Sequence, residues 1–171
     1  MKIVRYPHPI LSHKSKPVRR IDQGLRDIAA EMLELMYQAQ GVGLAANQVG
    51  LPYQLLVMNP TGDPEQREEE YVFINPVIQK RGGGLTDFEE GCLSFPGVGG
   101  SVTRAAEVTC RYLDENNLPC TITARGFLSR AVQHEIDHLN GILYIDRMTA
   151  AERLSFAPKL KKLSKANGGA R

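Results

Sequence analysis

The chain of 171 residues is long enough for one domain with a hydrophobic core and too short for two domains of ordinary size. It is 42% hydrophobic and 23% charged, without an apolar run of transmembrane length, which excludes a helical membrane protein. The 21 Lys and Arg residues against 19 Asp and Glu give a net charge of +2, which excludes a uniformly basic nucleic-acid-binding protein. We therefore expect a single domain over residues 1–171, with no membrane or DNA partner.

The N-terminal segment, residues 1–18, has no apolar core of signal-peptide length, and its prolines do not suit an amphipathic transit helix. This predicts an intracellular, cytoplasmic protein, or an organellar one if a targeting segment has been removed. The three cysteines, Cys92, Cys110 and Cys120, are odd in number and lack C-x-x-C spacing. A disulfide framework is therefore not expected.

Asp22 is a suitable N-cap for a helix that continues to about Gln40, with apolar residues at i, i+3 and i+4 spacing. Its apolar stripe consists of Leu25, Ile28, Met32, Leu35 and Ala39. Gly41 ends this helix and begins the stretch GVGLAANQVG. Residues 53–59 and 71–79 are predicted to be strands on either side of a charged, solvated loop.

Residues 80–90 and 96–104 are rich in glycine and are predicted to be irregular connections around Cys92. Apolar and polar residues then alternate over residues 107–124, around an Asp-Glu-Asn-Asn turn. This pattern predicts a β-hairpin, with its two cysteines as buried thiols.

A helix that carries the stretch QHEIDH is expected to begin between residues 126 and 129 and to end at Asn140. A strand is expected over residues 142–146. Thr149 and Glu152 match a capping box for a final helix, which Pro158 should break or kink. This C-terminal element, about residues 149–171, ends in a basic tail.

His134 and His138 lie four residues apart, so a helix would place both imidazoles on one face within reach of one metal ion. In the H-E-x-x-H pattern, the intervening Glu135 is a candidate general base for water. A catalytic metal site of this kind needs a third protein ligand. Cys92 is the best candidate, because a thiolate beside the backbone amides of a turn can bind a divalent ion.

Three stretches, GVGLAANQ (41–48), EGCLS (90–94) and QHEIDH (133–138), resemble in order and separation the motifs of the peptide deformylase family. The similarity extends from Ile3 to about Arg147. It implies an α+β fold, in which small antiparallel sheets surround a central helix carrying H-E-x-x-H, with an N-terminal helix and a C-terminal helical tail. It also implies hydrolysis of the N-formyl group on the N-terminal methionine of new polypeptides, with release of formate.

The resemblance assigns the metal to Cys92, His134 and His138, which would hold one divalent ion per chain. The family commonly uses Fe(II), and the ligand set does not separate Fe(II) from Zn(II), Ni(II) or Co(II). Asp137 lies between the histidines without matching a ligand role, and we expect it to accept hydrogen bonds around the site.

The resemblance also implies which residues take part in catalysis. Glu135 would be the general base, while the Gln48 side-chain amide and the Leu93 N–H would stabilise negative charge on the formyl oxygen. The substrate-binding residues implied are Val42, Gly43, Glu90, Gly91, Phe127, Arg130 and Ala131. The chain departs from the family pattern at residues 97–101, where Gly99 and Gly100 replace bulkier residues, and this leaves selectivity beyond the methionine open.

Two other interpretations are weaker. An H-E-x-x-H metallopeptidase usually takes its third ligand downstream of the helix, and no histidine follows His138. A structural metal domain that docks on ribosomes needs a fourth protein ligand, which no spacing indicates. The basic tail remains a candidate contact for ribosomal RNA, through Lys159, Lys161, Lys162 and Lys165.

Overall fold

The computed structural model describes residues 1–167, and in this part of the chain three α-helices accompany one five-stranded antiparallel sheet. The helices are α1 (Gln23–Gln38), α2 (Gly126–Leu139) and α3 (Ala150–Asn167). The strands are β1 (Gly43–Ala45), β2 (Leu55–Met58), β3 (Tyr71–Gly91), β4 (Gly99–Leu113) and β5 (Pro119–Arg125), which neighbour one another in chain order. The predicted α+β fold is confirmed, and residues 168–171 of the predicted tail lie outside the described residues.

The long strand β3 explains why there is one sheet where the sequence suggested several small ones. Its first residues, from Tyr71 to Ile74, pair with β2, and the remainder pairs with β4 as far as Gly91. The pairing with β4 contains three register shifts between Ile74 and Leu85. Because such irregularities bend a strand, β3 joins both parts of the sheet without a break in the chain.

The glycine-rich stretches around Cys92 are strands, so their prediction as irregular connections is wrong. Residues 80–90 belong to β3 and residues 99–104 to β4. From Gly83 to Glu89 every residue is exposed, because this part of β3 has β4 as its partner and no layer packed over it. This part of β3 therefore shows no alternation of apolar and polar residues. On β4 the alternate residues Gly100, Val102 and Arg104 are buried, but only Val102 among them has an apolar side chain, so the sequence shows no alternation there either.

Helix α1 confirms the predicted cap and only part of the predicted stripe: Leu25 and Met32 are buried, whereas Ile28, Leu35 and Ala39 are half-buried. The Asp22 side chain accepts a hydrogen bond from the Leu25 N–H at 3.1 Å. The buried face includes Met32 and Met36 and packs with the residues of β1 and β2 in a shared cluster. The helix therefore closes one side of the sheet just before the GVGLAANQ stretch.

Helix α2 lies at the centre of the molecule, with every residue from Ser129 to Leu139 buried. Val132, Ile136 and Leu139 pack into a cluster to which all five strands contribute. Of the two hairpin cysteines, Cys110 is buried as predicted, whereas Cys120 is only half-buried because it lies close to the hairpin turn.

The segment after α2 differs from the predicted strand. Residues Tyr144–Asp146 form a 3₁₀ turn, in which the Asp146 carboxylate accepts a hydrogen bond from the Leu143 N–H at 2.9 Å. Tyr144 is buried against Phe95 and donates its hydroxyl hydrogen to the Val98 carbonyl at 2.9 Å. A local cap and one buried aromatic ring thus favour a turn over strand pairing.

Helix α3 begins with the predicted capping box between Thr149 and Glu152. The expected break at Pro158 is wrong, because α3 continues to Asn167. Pro158 is exposed, so the carbonyl that it leaves without an N–H partner, that of Leu154, is open to water. Within residues 1–167, no helix combines the length and the apolar character needed to cross a membrane.

The N-terminal segment, residues 1–21, is bound to distant parts of the chain. The Ser15 N–H donates to the Leu139 carbonyl at 2.8 Å. The Tyr6 N–H donates to the Ser94 carbonyl at 2.9 Å, and the Tyr6 carbonyl accepts from the Asn167 side chain at 3.0 Å. This segment therefore joins the end of α2, the turn after Cys92 and the end of α3.

Candidate metal centre

Cys92, in the turn between β3 and β4, meets His134 and His138, which lie one helical turn apart on α2. The Cys92 Sγ and the His134 Nε2 are each 3.2 Å from the His138 Nε2, and the three ligand atoms lie within 4.8 Å of one another. One thiolate and two imidazoles are a suitable ligand set for a divalent transition metal with an open position. The structure thus brings together the pair and the third ligand expected from the sequence.

His134 is oriented by Glu90. Its Nδ1 lies 2.9 Å from the Glu90 Oε2. Burial raises the pKa of Glu90, but His134 and Arg104 outweigh burial and lower it to about 2. The carboxylate therefore only accepts hydrogen bonds and Nδ1 carries a hydrogen, which leaves Nε2 as the atom that faces the other ligands and can bind an ion once its own proton is lost.

The two histidines differ in proton affinity. Burial lowers the pKa of His134, but Cys92 and Glu90 outweigh burial and raise it to about 10. Burial and the neighbouring His134 hold the pKa of His138 well below its usual range. Because metal ions bind neutral imidazole, an ion must displace a proton from His134, and its apparent affinity should increase with pH.

Glu135 lies beside the ligands and is 5% exposed. Its Oε2 is buried without a hydrogen-bond partner among the described residues, and burial raises its pKa to about 7. A carboxyl group with this pKa can both accept and return a proton near neutral pH. A Cβ at Gly43 would lie 2.6 Å from the Glu135 Oε1, so β1 passes this closely only because position 43 has no side chain.

Gln48 has a defined amide orientation. Its Oε1 accepts a hydrogen bond from the Ala45 N–H at 2.8 Å. Because a backbone N–H can only donate, the NH₂ group must face the opposite way, where it lies 3.2 Å from the Ser94 Oγ and 3.5 Å from the Cys92 Sγ. Gln48 therefore presents a donor to the candidate metal centre.

A cleft of about 880 Å³ opens above these residues. All seven substrate-binding residues expected from the resemblance line it, namely Val42, Gly43, Glu90, Gly91, Phe127, Arg130 and Ala131. Phe88 was not expected from the sequence, yet it lines the cleft and has the Arg130 guanidinium 5.6 Å from its ring centroid. Because alternate residues of a strand face the same side, its position two residues before Glu90 would have indicated this place if residues 80–90 had been predicted as a strand.

The two glycines that depart from the family pattern have different surroundings. Gly99 lines the cleft beside Glu89. A Cβ at Gly100 would instead collide with Met148 and come within 3.1 Å of the Phe156 ring. Gly99 therefore contributes to the rim, whereas Gly100 makes room for α3.

A half-buried thiolate and two buried imidazoles, with a carboxyl group of raised pKa beside them at the base of an open cleft, define the class of metal-dependent hydrolases. A family model described as polypeptide deformylase matches residues 1–154. The chain belongs to the peptide deformylase family, whose members remove the formyl group from N-formyl-methionyl peptides.

Individual relatives support this assignment. The chain is 46% identical over 148 residues to a peptide deformylase of Rhodopirellula baltica, covering 86% of this chain and 73% of that protein. It is 42% identical over 165 residues to a peptide deformylase of Neisseria gonorrhoeae, covering 96% of each. A crystal structure of peptide deformylase from Plasmodium falciparum superposes with a TM-score of 0.95 at 38% identity, covering 99% of each chain.

Proposed function

We propose that Cys92, His134 and His138 hold one Fe(II) ion and that Glu135 is the general base of deformylation. The observation that carries this proposal is the convergence of the three ligand atoms beside a buried carboxylate oxygen without a partner among residues 1–167. A divalent ion bound there supplies Lewis acidity for water and for the formyl oxygen. Zn(II), Ni(II) and Co(II) suit the same ligands.

The proton steps belong to Glu135. Its carboxylate takes a proton from the water that attacks the formyl carbon and gives a proton to the departing amine. The Gln48 NH₂ group, with its orientation fixed by Ala45, and the Leu93 N–H donate to the negative charge that develops on the formyl oxygen. Formate and a free N-terminal methionine are the products.

The cleft receives the peptide next to β1. This strand lies at the edge of the sheet with β2 as its neighbour, so the Val42 backbone and the edge of β1 can pair with an extended peptide. Backbone pairing tolerates many sequences, as a general processing enzyme requires. Side-chain selection is confined to the methionine, which lies between Phe127, Arg130 and Ala131 near Glu90.

The cellular setting is proposed on the same basis. New polypeptides carry the formyl group as they are made, so we place the enzyme in a bacterial-type cytoplasm or the matching organelle compartment. Residues 1–171 act as one catalytic domain. The cationic side chains of α3, including Lys159 and Lys162, are exposed and suit a contact with ribosomal RNA.

Turnover of formyl-Met-Ala-Ser under anaerobic conditions tests the proposal, with formate and bound metal measured on the same sample. We expect formate release that requires the ion, and a Cys92→Ser variant that loses the ion. A Cys92→Ser protein with full metal content would overturn the ligand set. Fe(II) protein should lose activity in air faster than Ni(II) protein, because a thiolate on a redox-active ion is open to oxidation; equal decay would contradict that account.

A further inference from the structure

Asp137, in the middle of the HEIDH stretch, has no role in the proposed mechanism, yet it is 7% exposed and bound to two arginines. Its Oδ2 accepts from the Arg104 Nη1 at 2.7 Å. Arg147 approaches from the surface and donates to Oδ1 at 2.6 Å through Nη2 and to Oδ2 at 3.0 Å through Nε. Both carboxylate oxygens are thus used by fixed guanidinium groups.

Arg104 continues this arrangement toward the metal centre. Its Nε and Nη2 donate to the two carboxylate oxygens of Glu90 at 2.6 and 2.9 Å, and the Glu90 Oε2 also contacts the His134 Nδ1 at 2.9 Å. A continuous series of charge-assisted hydrogen bonds therefore runs from Arg147 through Asp137, Arg104 and Glu90 to a proposed metal ligand. We call these four residues the relay.

The geometry makes Asp137 a determinant of the Glu90 position. Arg104 is a planar guanidinium whose side chain is 4% exposed, and it binds Glu90 on one side and Asp137 on another. Glu90 also accepts a hydrogen bond from the Arg130 Nη1 at 2.7 Å. Arg104 thus donates to two carboxylates, and Glu90 accepts from two arginines. If Asp137 lost its charge, Arg104 would keep buried donors without a carboxylate and would shift relative to Glu90.

We infer that Asp137, held in place by Arg147, is a positioning residue that sets the Glu90–His134 hydrogen bond through Arg104 and so tunes the affinity of the metal centre. This inference rests on the proposed ligand set. It extends the site to the surface, because the Arg147 side chain is 42% exposed at the start of the segment that leads into α3.

The test replaces Asp137 with the isosteric asparagine and measures Zn(II) affinity by chelator competition. Loss of a partner that orients a metal ligand typically weakens affinity or activity by about 10- to 100-fold, which is the range expected for Asp137→Asn. The kcat for formyl-Met-Ala-Ser should fall together with the Zn(II) affinity, because a displaced Glu90 no longer holds His134 in place. Arg147→Lys, which keeps the charge but loses the two-point contact, should show the same changes at smaller size.

If Asp137 had only a structural role, its replacement would lower stability without a specific loss of Zn(II) affinity. Two control variants separate these cases. Arg153→Gln removes an exposed neighbouring ion pair, with Asp146 at 3.6 Å, and should leave Zn(II) affinity unchanged. Leu33→Ala lowers the stability of the protein at a distant place, because Leu33 is on α1 and is buried in a cluster that contains no residue of α2. The Nδ1 proton resonance of His134 in the Zn(II) protein should shift in Asp137→Asn and stay in place in Leu33→Ala.

The inference is overturned if Asp137→Asn weakens Zn(II) no more than Leu33→Ala does, or if the His134 resonance does not move. If Asp137→Asn does not fold, the Zn(II) affinity and the His134 resonance of Arg147→Lys test the inference instead. Failure of the proposed function is seen separately, because Cys92→Ser would then retain the ion whatever Asp137 does.

Discussion

Helices α2 and α3 have similar lengths, 14 and 18 residues, but opposite relations to solvent. Helix α2 is buried from Ser129 to Leu139, including its charged residues, whereas no described side chain of α3 is fully buried. The comparison shows what burial of polar groups requires. Asp137 and Arg130 on α2 are paired with opposite charges on other elements, and the lysines of α3 remain in water.

The two helices also differ in how firmly the rest of the molecule holds their side chains. Side chains on α2 are fixed by the sheet on several sides, so a small displacement there alters the candidate metal centre. Helix α3 is held chiefly through Phe156, Leu160 and Leu163, which pack against the cluster that contains Phe95. Changes on α2 should therefore affect chemistry, and changes on α3 should affect local stability.

The largest expected effect is on α2, from Glu135→Gln. The amide cannot accept the proton, so kcat should fall roughly 10²- to 10⁴-fold, the usual contribution of general base catalysis. Metal content should remain at one ion per chain, because Glu135 is not among the three ligand atoms. Formate release and metal analysis of the same sample check both parts. A fully active variant would refute the assigned base.

A smaller loss of kcat is expected from Gly43→Ala, because Gly43 on β1 lies against Glu135 on α2. The new Cβ would lie 2.6 Å from the Glu135 Oε1 and must displace that carboxylate. A misplacement of about 1 Å can lower turnover about 10²-fold. Gly24→Ala is the matched control, since its Cβ would meet only Asp22 at 3.4 Å. Equal kcat values for the two variants would show that Glu135 tolerates displacement.

Gly100→Ala, on β4 where it faces α3, should change the stability of α3 and leave turnover unaffected. The added methyl group must push aside Met148 and the edge of Phe156, an overpacking that costs about 1 kcal/mol. Amide hydrogen exchange in α3 should become faster, while kcat for formyl-Met-Ala-Ser stays the same. A clear fall in kcat would mean that α3 supports the cleft more directly than its contacts indicate.

The smallest effect is expected from Leu154→Gln on the outer side of α3. Leu154 is 78% exposed, so its replacement should change the free energy of unfolding by less than about 0.5 kcal/mol. Denaturant unfolding of both proteins measures this difference. A larger loss would show that the outer side of α3 packs on another surface in solution.

The sequence predicted helices α1 and α2, α1 by its apolar stripe and α2 by the spacing of His134 and His138. The ribbon of β3 and β4 was missed, because its β3 residues are exposed and strand pairing is made by backbone groups that leave no trace in exposed side chains. Its buried β4 residues, Gly100, Val102 and Arg104, include only one apolar side chain. At Pro158, an exposed helix side lets water replace the lost hydrogen bond.

The site residues that lie within sequence motifs could be predicted, whereas those that come singly from distant positions could not. The ligand set and Glu135 lie in two recognisable stretches, EGCLS and QHEIDH, whereas the partners of Asp137 come from positions 104 and 147. Nothing in the local sequence indicates that these arginines converge on one carboxylate. Their meeting depends on the packing of β4 and the 3₁₀ turn against α2.

The attachment of the N-terminal segment has a consequence for how the chain folds. Its hydrogen-bond partners, at Ser94, Leu139 and Asn167, are far along the sequence, and contacts of this kind slow folding because long loops must close first. Synthesis proceeds from the N-terminus, so the segment emerges long before Leu139 exists to receive it. The part of the chain that is made first is therefore among the last to reach its native contacts.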